Sequence, residues 1–253
     1  YISAMQRCGV GTSLKHYAGN NQETHRMTAN SMIDERALQE IYLTAFEIAV
    51  KKADPASVMA SYNYMNGMPA CENSYLLKEI LREKWGYRGL VMSDWGACVD
   101  LPACIDAGMD VEMPDSMGNH MPELEKAVKS GKLPIEKLDQ AVERIEKLMA
   151  EYGKNRITEN QKKEVSKDTR RKNHVLAGWI EAESAVLLKN ESFFPLRTGA
   201  ELLIIGDLAE HPRYQGGGSS HIHTEMAESV TKQLEKHYAK VRYVKGYKRN
   251  TFN

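Results

Sequence analysis

The chain has 253 residues, enough for one large domain or two ordinary ones, and its 34 basic side chains balance 34 acidic ones. A zero formal charge gives no electrostatic pull toward nucleic acid or an anionic membrane, so a neutral ligand fits better. No apolar run reaches the roughly 18 to 20 residues that span a bilayer, and no charged segment followed by an apolar one opens the sequence, which predicts a soluble, cytoplasmic chain.

Along the chain, strands and helices alternate. Residues 10 to 17 predict a short strand ending in Lys15-His16-Tyr17, followed by a polar loop, Gly19-Asn20-Asn21-Gln22-Glu23. A helix then carries Leu38, Ile41, Tyr42, Ala45, Phe46, Ala49 and Val50 at three- and four-residue steps, with Asp34 as its cap. Ser57 to Tyr62 predicts a second strand, closed by a turn at Asn66-Gly67. Asn73 starts a helix through Leu76, Leu77, Ile80 and Leu81 that stops at Gly86. Leu90 to Asp94 reads as a third strand, a helix through Cys98, Leu101 and Ile105 ends at Gly108, and Met109 to Met113 makes a fourth. Alternation of this kind predicts parallel pairing through right-handed crossovers. Four such units are half of a closed (β/α)8 barrel.

Residues 119 to 152 predict two amphipathic helices, the second with Leu138, Val142, Ile145 and Leu148 on one face. A charged stretch from 153 to 172 reads as a surface connector, its basic run solvated rather than bound to nucleic acid. Beyond it come a helix from about Asn173 to Ser184, strands at Ala185 to Leu188 and Leu202 to Ile205, a Gly-rich loop, a helix from about Thr224 to Tyr238 and a strand at Val241 to Val244. The predicted organisation is a partial barrel over 1–152, a connector over 153–172 and the first part of an α/β/α sandwich over 173–253.

Asp94 stands where the apolar run Leu90-Val91-Met92 ends, beside Trp95. Side chains just past the carboxyl ends of barrel strands point into the active site, which places this carboxylate for chemistry. The competing reading makes Asp94 a cap for a helix beginning near Ala97. Metal chemistry has less support: Cys8, Cys71, Cys98 and Cys104 show no Cys-x-x-Cys spacing and read as buried thiols. No His-Glu-x-x-His pair is present, and His221-x-His223 reads as a loop feature. No metal and no cofactor is expected.

The chain resembles the family 3 glycoside hydrolases, in their β-glucosidase branch. The segments that carry the likeness are Lys15-His16-Tyr17 with Asn20 to Glu23 and Arg26; Glu35 to Tyr42; Ser57 to Asn63 with Asn66-Gly67; and Gly89 to Gly96. Leu187 to Asn190 and Gly216 to Ser220 look like the start of that family's second domain. The resemblance implies a retaining glycosidase acting on a β-glucoside or oligosaccharide, with Asp94 as the nucleophile. It further implies that Lys15 and His16 bind sugar hydroxyls and that Tyr62 lies close to the nucleophile. Trp95 offers a flat apolar face to a sugar ring, and Met59 lines the same pocket. Singly, each of these residues reads as an ordinary solvated or core side chain; at the ends of successive strands they read as a site.

The pattern departs from the family in one respect that matters for chemistry. The loop Ala18 to Arg26 lacks the Asp-Ser-His run of the single-domain N-acetylhexosaminidase type, leaving only His25. The β-glucosidase branch takes its proton donor, a Glu, from well inside the second domain, and Glu181, Glu183, Glu201 and Glu225 come too early to match it. The expectation is therefore a chain truncated at both ends, with little turnover alone, its general acid outside these residues. A homo-oligomer or a complementing chain is an open partner, and a β-xylosidase or a catalytically silent sugar-binding fragment are the alternatives. Ile204-Ile205-Gly206 before Gly216 to Gly218 could suggest phosphate binding, but the spacing is wrong for a nucleotide loop.

Overall fold

The computed structural model describes residues 1–155, 165–215, 218–224 and 226–248. They fall into two compact units, Tyr1–Lys162 and Lys163–Asn253.

In the first unit a short helix, α1 (Ile2–Arg7), precedes the strand β1 (Ser13–Tyr17). After β2 (Asn30–Ser31) comes a helical stretch made of α2 (Glu35–Ala37), a wide turn over Leu38–Tyr42, and α3 (Thr44–Ala53). Strand β3 (Ser57–Ala60) leads to the hairpin β4 (Tyr64–Met65) and β5 (Met68–Pro69). A helix over Tyr75–Lys84 then leads to β6 (Leu90–Ser93), α4 (Leu101–Ala107), α5 (Met121–Lys129) and α6 (Ile135–Tyr152). Strands β1, β3 and β6 form a parallel sheet in that order, with Ala60 paired to both Tyr17 and Ser93. Each crossover carries helix, as parallel pairing requires. The fourth predicted strand is reduced to a parallel bridge between Met92 and Val111. The partial eight-stranded barrel expected from the alternation is therefore present as three strands and a bridged fourth segment.

Burial explains the composition of these strands. β3 is buried along its whole length and β6 nearly so, the pattern of strands covered on both faces. Their flanking helices bring Leu38, Leu43, Leu76, Leu77, Ile80 and Leu81 onto one core with Tyr17, Val58 and Val91. Tyr17 is fully buried, meets Phe46 and Trp85 edge-on, and donates its hydroxyl hydrogen to the Leu76 carbonyl at 2.9 Å. The hairpin turn is the predicted Asn66-Gly67, with both residues at positive φ (51° and 91°). Asn66 also ties down the preceding loop, accepting from Ile33 N–H and donating to the Ile33 carbonyl at 2.8 and 2.9 Å.

Several expectations need correction. Ile41, expected on the buried stripe, is 70% exposed, because the Leu43 N–H bonds five residues back to Leu38 and the wider turn swings Leu43 inward instead. Val142 likewise faces solvent, and Ala141 takes its place against the core. Asp94 caps no helix: α4 begins at Leu101, and Asp100 is the residue that accepts from Ala103 N–H at 3.0 Å.

The second unit contains α7 (Lys167–Ser184), β7 (Glu201–Ile205), α8 (Val230–Glu235) and β8 (Lys240–Val244). β7 and β8 pair in parallel from Glu201 with Lys240 to Ile205 with Val244. Here the sequence pattern misleads in three places. The helix starts at Lys167, inside the charged stretch, because the Ser166 hydroxyl caps Thr169 N–H. Ala185 to Leu188 form no strand, having no pairing partner among the described residues. The helix expected over 224 to 238 is confined to Val230–Glu235, where Ser229 supplies the cap. Gly216, Gly217 and Glu225 lie outside the described residues.

Candidate active site

The carboxyl ends of β1, β3 and β6 converge on Asp94. Ladder bonds carry the three chains to the same level: Ser61 N–H donates to the Tyr17 carbonyl at 2.8 Å, and Asp94 N–H to the Ala60 carbonyl at 3.0 Å. The fourth segment closes the arrangement, with Ser93 N–H donating to Val111 and Gly96 N–H to Met113 at 3.0 and 2.9 Å. The Ser93 hydroxyl adds bonds to both the carbonyl and the N–H of Met113. Asp94 thus sits on a rigid frame at the one sheet end where parallel α/β architectures place chemistry.

Its two carboxylate oxygens differ. Oδ1 accepts the Trp95 N–H at 2.8 Å. Oδ2 is buried and has His16 Nε2 at 3.2 Å, an approach too oblique to make a full hydrogen bond, so this oxygen keeps its lone pairs uncommitted. The Tyr62 hydroxyl lies within hydrogen-bonding reach of the same carboxylate, and its pKa is raised, by burial first and then by the charge of Asp94. Tyr62 therefore stays a phenol and a donor.

His16 has its pKa lowered, by burial first and then by Lys15, while Asp94 pulls in the opposite direction. A lowered value leaves the imidazole neutral at pH 7. As pH falls below the unfolded value of about 6.5, the unfolded chain takes up a proton that folded His16 resists, so His16 contributes stability that is lost as pH falls through its folded pKa. Because Asp94 props the value up, Asp94→Asn is expected to lower the His16 pKa further in an imidazole NMR titration. An unchanged or raised value would show that the two groups are not electrostatically coupled.

His16, Tyr62 and Asp94 are the side chains joined by these interactions. Lys15 is exposed at the rim, near enough to act on His16 electrostatically. Trp95 is 52% exposed, so one face of its ring is open to a ligand. Met59 is buried in β3, paired with Met92 of β6. His25, the weak candidate for a proton-transfer role, is exposed in a left-handed conformation.

Arg26, which the sequence does not mark as part of the site, joins it. Arg26 stacks its guanidinium 4.7 Å from the centre of the Tyr62 ring and pairs with Glu23 at 2.8 Å. Its spacing from Tyr62 carries no periodic signal. The contact exists because Asn63 and Ser61 side chains hold the Ala18 carbonyl, and Asn66 holds Ile33, folding the intervening loop over the end of the sheet.

Residues 1–148 match the family model described as "Glycosyl hydrolase family 3 N terminal domain". The chain is 45% identical over 237 residues to thermostable beta-glucosidase B of Acetivibrio thermocellus, covering 93% of this chain and 31% of that protein. It is 37% identical over 256 residues to exo-alpha-(1->6)-L-arabinopyranosidase of Bifidobacterium breve, covering 97% and 33%. Among solved structures, beta-glucosidase 3B from Thermotoga neapolitana in complex with alpha-D-glucose superposes with a TM-score of 0.85 at 35% identity, covering 96% of this chain and 34% of that one. The chain spans about a third of the length of these relatives.

Proposed function

The chain belongs to glycosyl hydrolase family 3, and from that footing we propose that it carries the nucleophile half of a retaining β-glucosidase site, with Asp94 as the nucleophile. The observation that supports this most is the asymmetry of the carboxylate: Oδ1 is held by Trp95 N–H while Oδ2 has His16 at 3.2 Å and no committed bond. A carboxylate so oriented can attack the anomeric carbon of a terminal β-D-glucosyl residue. The Oδ2–C1 bond forms as the C1–O bond to the leaving group breaks, and the leaving oxygen takes a proton from a second carboxyl. Water then attacks C1, returns its proton to that second carboxyl, and releases Asp94. The resemblance assigns the proton donor to a Glu deep in the second domain, and we nominate no acidic residue of this chain for it.

The neighbours have separate tasks in this reading. Tyr62 donates to Asp94 in the resting site, and Lys15 and His16 present donors to sugar hydroxyls. Arg26 positions Tyr62 through their stacked contact. Trp95 and Met59 supply apolar surface to the sugar ring.

A pentopyranoside is the second reading, favoured by the likeness to the arabinopyranosidase of Bifidobacterium breve; a β-xylosidase belongs to this class. The two differ in whether the pocket accepts the C6 hydroxymethyl, a matter of shape and of polar groups left unpaired. Incubation with a 2-deoxy-2-fluoro glucoside bearing a good leaving group, followed by intact mass and peptide mapping, tests the assignment. We expect one glycosyl adduct on the peptide containing Asp94, formed faster than with the matching xyloside. Absence of any adduct on both this chain and a longer parent would remove Asp94 from the mechanism.

A further inference from the structure

Directly after the candidate nucleophile, the chain brings three unlike metal-binding side chains together. Cys98 is buried on the loop that follows Asp94, Glu112 stands at the end of the bridged fourth segment, and His120 precedes α5. One donor atom from each lies within 4.8 Å of the other two. We propose that Cys98, Glu112 and His120 form a binding site for a divalent transition-metal ion of the zinc class.

The donor set suits that class: thiolate, imidazole and carboxylate are the ligands of a borderline-soft ion, whereas calcium or magnesium would call for oxygen alone. Tetrahedral bonds of about 2.0 to 2.3 Å put donor atoms roughly 3.2 to 3.7 Å apart, so small side-chain movements complete the geometry.

A second observation points the same way. His120 Nδ1 lies 2.8 Å from Glu112 Oε1, yet the approach is misaligned for a hydrogen bond, and this nitrogen is buried without a partner. The nitrogen's in-plane direction therefore misses the carboxylate and is left for another partner. An ion lying beside both atoms would bind the two, widen the pair and recruit the Cys98 thiolate.

A cavity of about 700 Å³ is lined by His120 and Asn119 together with Val99, Asp100 and Glu123. His120 is the ligand that borders it, and water on that side would complete the coordination of a site with three protein donors. The ion would fasten the loop carrying Asp94 and Trp95 to the segment between Glu112 and His120.

The site escaped sequence reading because its ligands are separated by 14 and 8 residues, on three different elements, with no short-spaced pair. Cys71 and Cys104 lie near Cys98, and Cys104 shares a hydrogen bond with it, so the test must separate the thiols.

The experiment is titration of the Cys8→Ser chain with Co²⁺ alone, followed by displacement with Zn²⁺, read by absorption. Expected are one ion per chain, a near-ultraviolet thiolate-to-cobalt band, and loss of that band in Cys98→Ser but not in Cys104→Ser. Glu112→Gln and His120→Gln should each weaken affinity at least about tenfold, and His221→Gln should leave it unchanged. The proposal fails if the parent shows no thiolate band, if the band survives Cys98→Ser, or if neither Glu112→Gln nor His120→Gln changes affinity. The two latter substitutions lie on partly exposed side chains, so they remain readable even if Cys98→Ser perturbs folding.

Discussion

Asp94→Gly is expected to lower kcat by at least about a thousandfold, equivalent to ~4 kcal/mol of transition-state stabilisation, in any form of the protein that turns over an aryl β-glucoside. Added azide should restore turnover with a good leaving group, releasing a glucosyl azide of inverted anomeric configuration. The Asp94 N–H is fixed to Ala60 and the flanking Ser93 and Gly96 to the fourth segment, so removing the side chain leaves the backbone in place. The vacated volume beside His16 and Tyr62 is lined by groups that faced an anion. A small anion can occupy it and attack C1 from the same side as the lost carboxylate, which splits the chemistry in the expected manner. Asp94→Asn should lose as much rate but gain nothing from azide, because the amide still fills the site. If Asp94→Gly kept more than about a tenth of the parent rate, or if azide gave no azide product, the nucleophile would have to be sought elsewhere.

The largest effect on stability should come from a residue remote from that chemistry. Asp110 is buried and accepts from Arg82 at 2.8 Å, from Arg144 at 2.7 Å and from Val91 N–H at 2.7 Å. Arg82 in turn donates to the carbonyls of Gly89 and Gly108, at 2.5 and 3.2 Å. One carboxylate thereby ties the Tyr75–Lys84 helix, β6 and α6 together. Burial pushes the Asp110 carboxyl pKa up and the Arg82 pKa down, while their mutual attraction opposes both shifts. Such a pair is costly to assemble and costlier to break, because removing one partner strands the other without water. Asp110→Ala is expected to destabilise the first unit by about 3–5 kcal/mol in urea unfolding. Replacing Asp110 and Arg82 together with apolar residues of similar volume should cost less than Asp110→Ala alone. A loss below ~1 kcal/mol for the single change would mean that Arg82 and Arg144 find other partners or water, which is the behaviour of surface pairs.

The two predictions rest on different kinds of information. The place of Asp94 at a strand end was legible because an apolar run ending in a carboxylate is a local pattern, and the parallel pairing of β1, β3 and β6 followed from the alternation of elements. The Asn66-Gly67 turn and the Asp34 cap were equally local, since each is decided by the conformational preferences of one or two residues. The Asp110 network was not legible, because its members lie 28 and 34 residues from their partner and obey no period. The same is true of Arg26 over Tyr62 and of Cys98 beside Glu112 and His120. In the second unit, Ala185 to Leu188 have the composition of a strand but no neighbour to pair with among the described residues, and composition alone cannot supply one.

Short-range stereochemistry and the spacing of apolar residues therefore specify which segments become strand or helix and which end of a strand carries a carboxylate. Which side chains meet across elements is decided by chain folding. Contact between distant residues depends on the path of the backbone between them, as with the loop that Asn63 and Asn66 fold over Tyr62, and on whether each buried polar group finds a partner when it arrives.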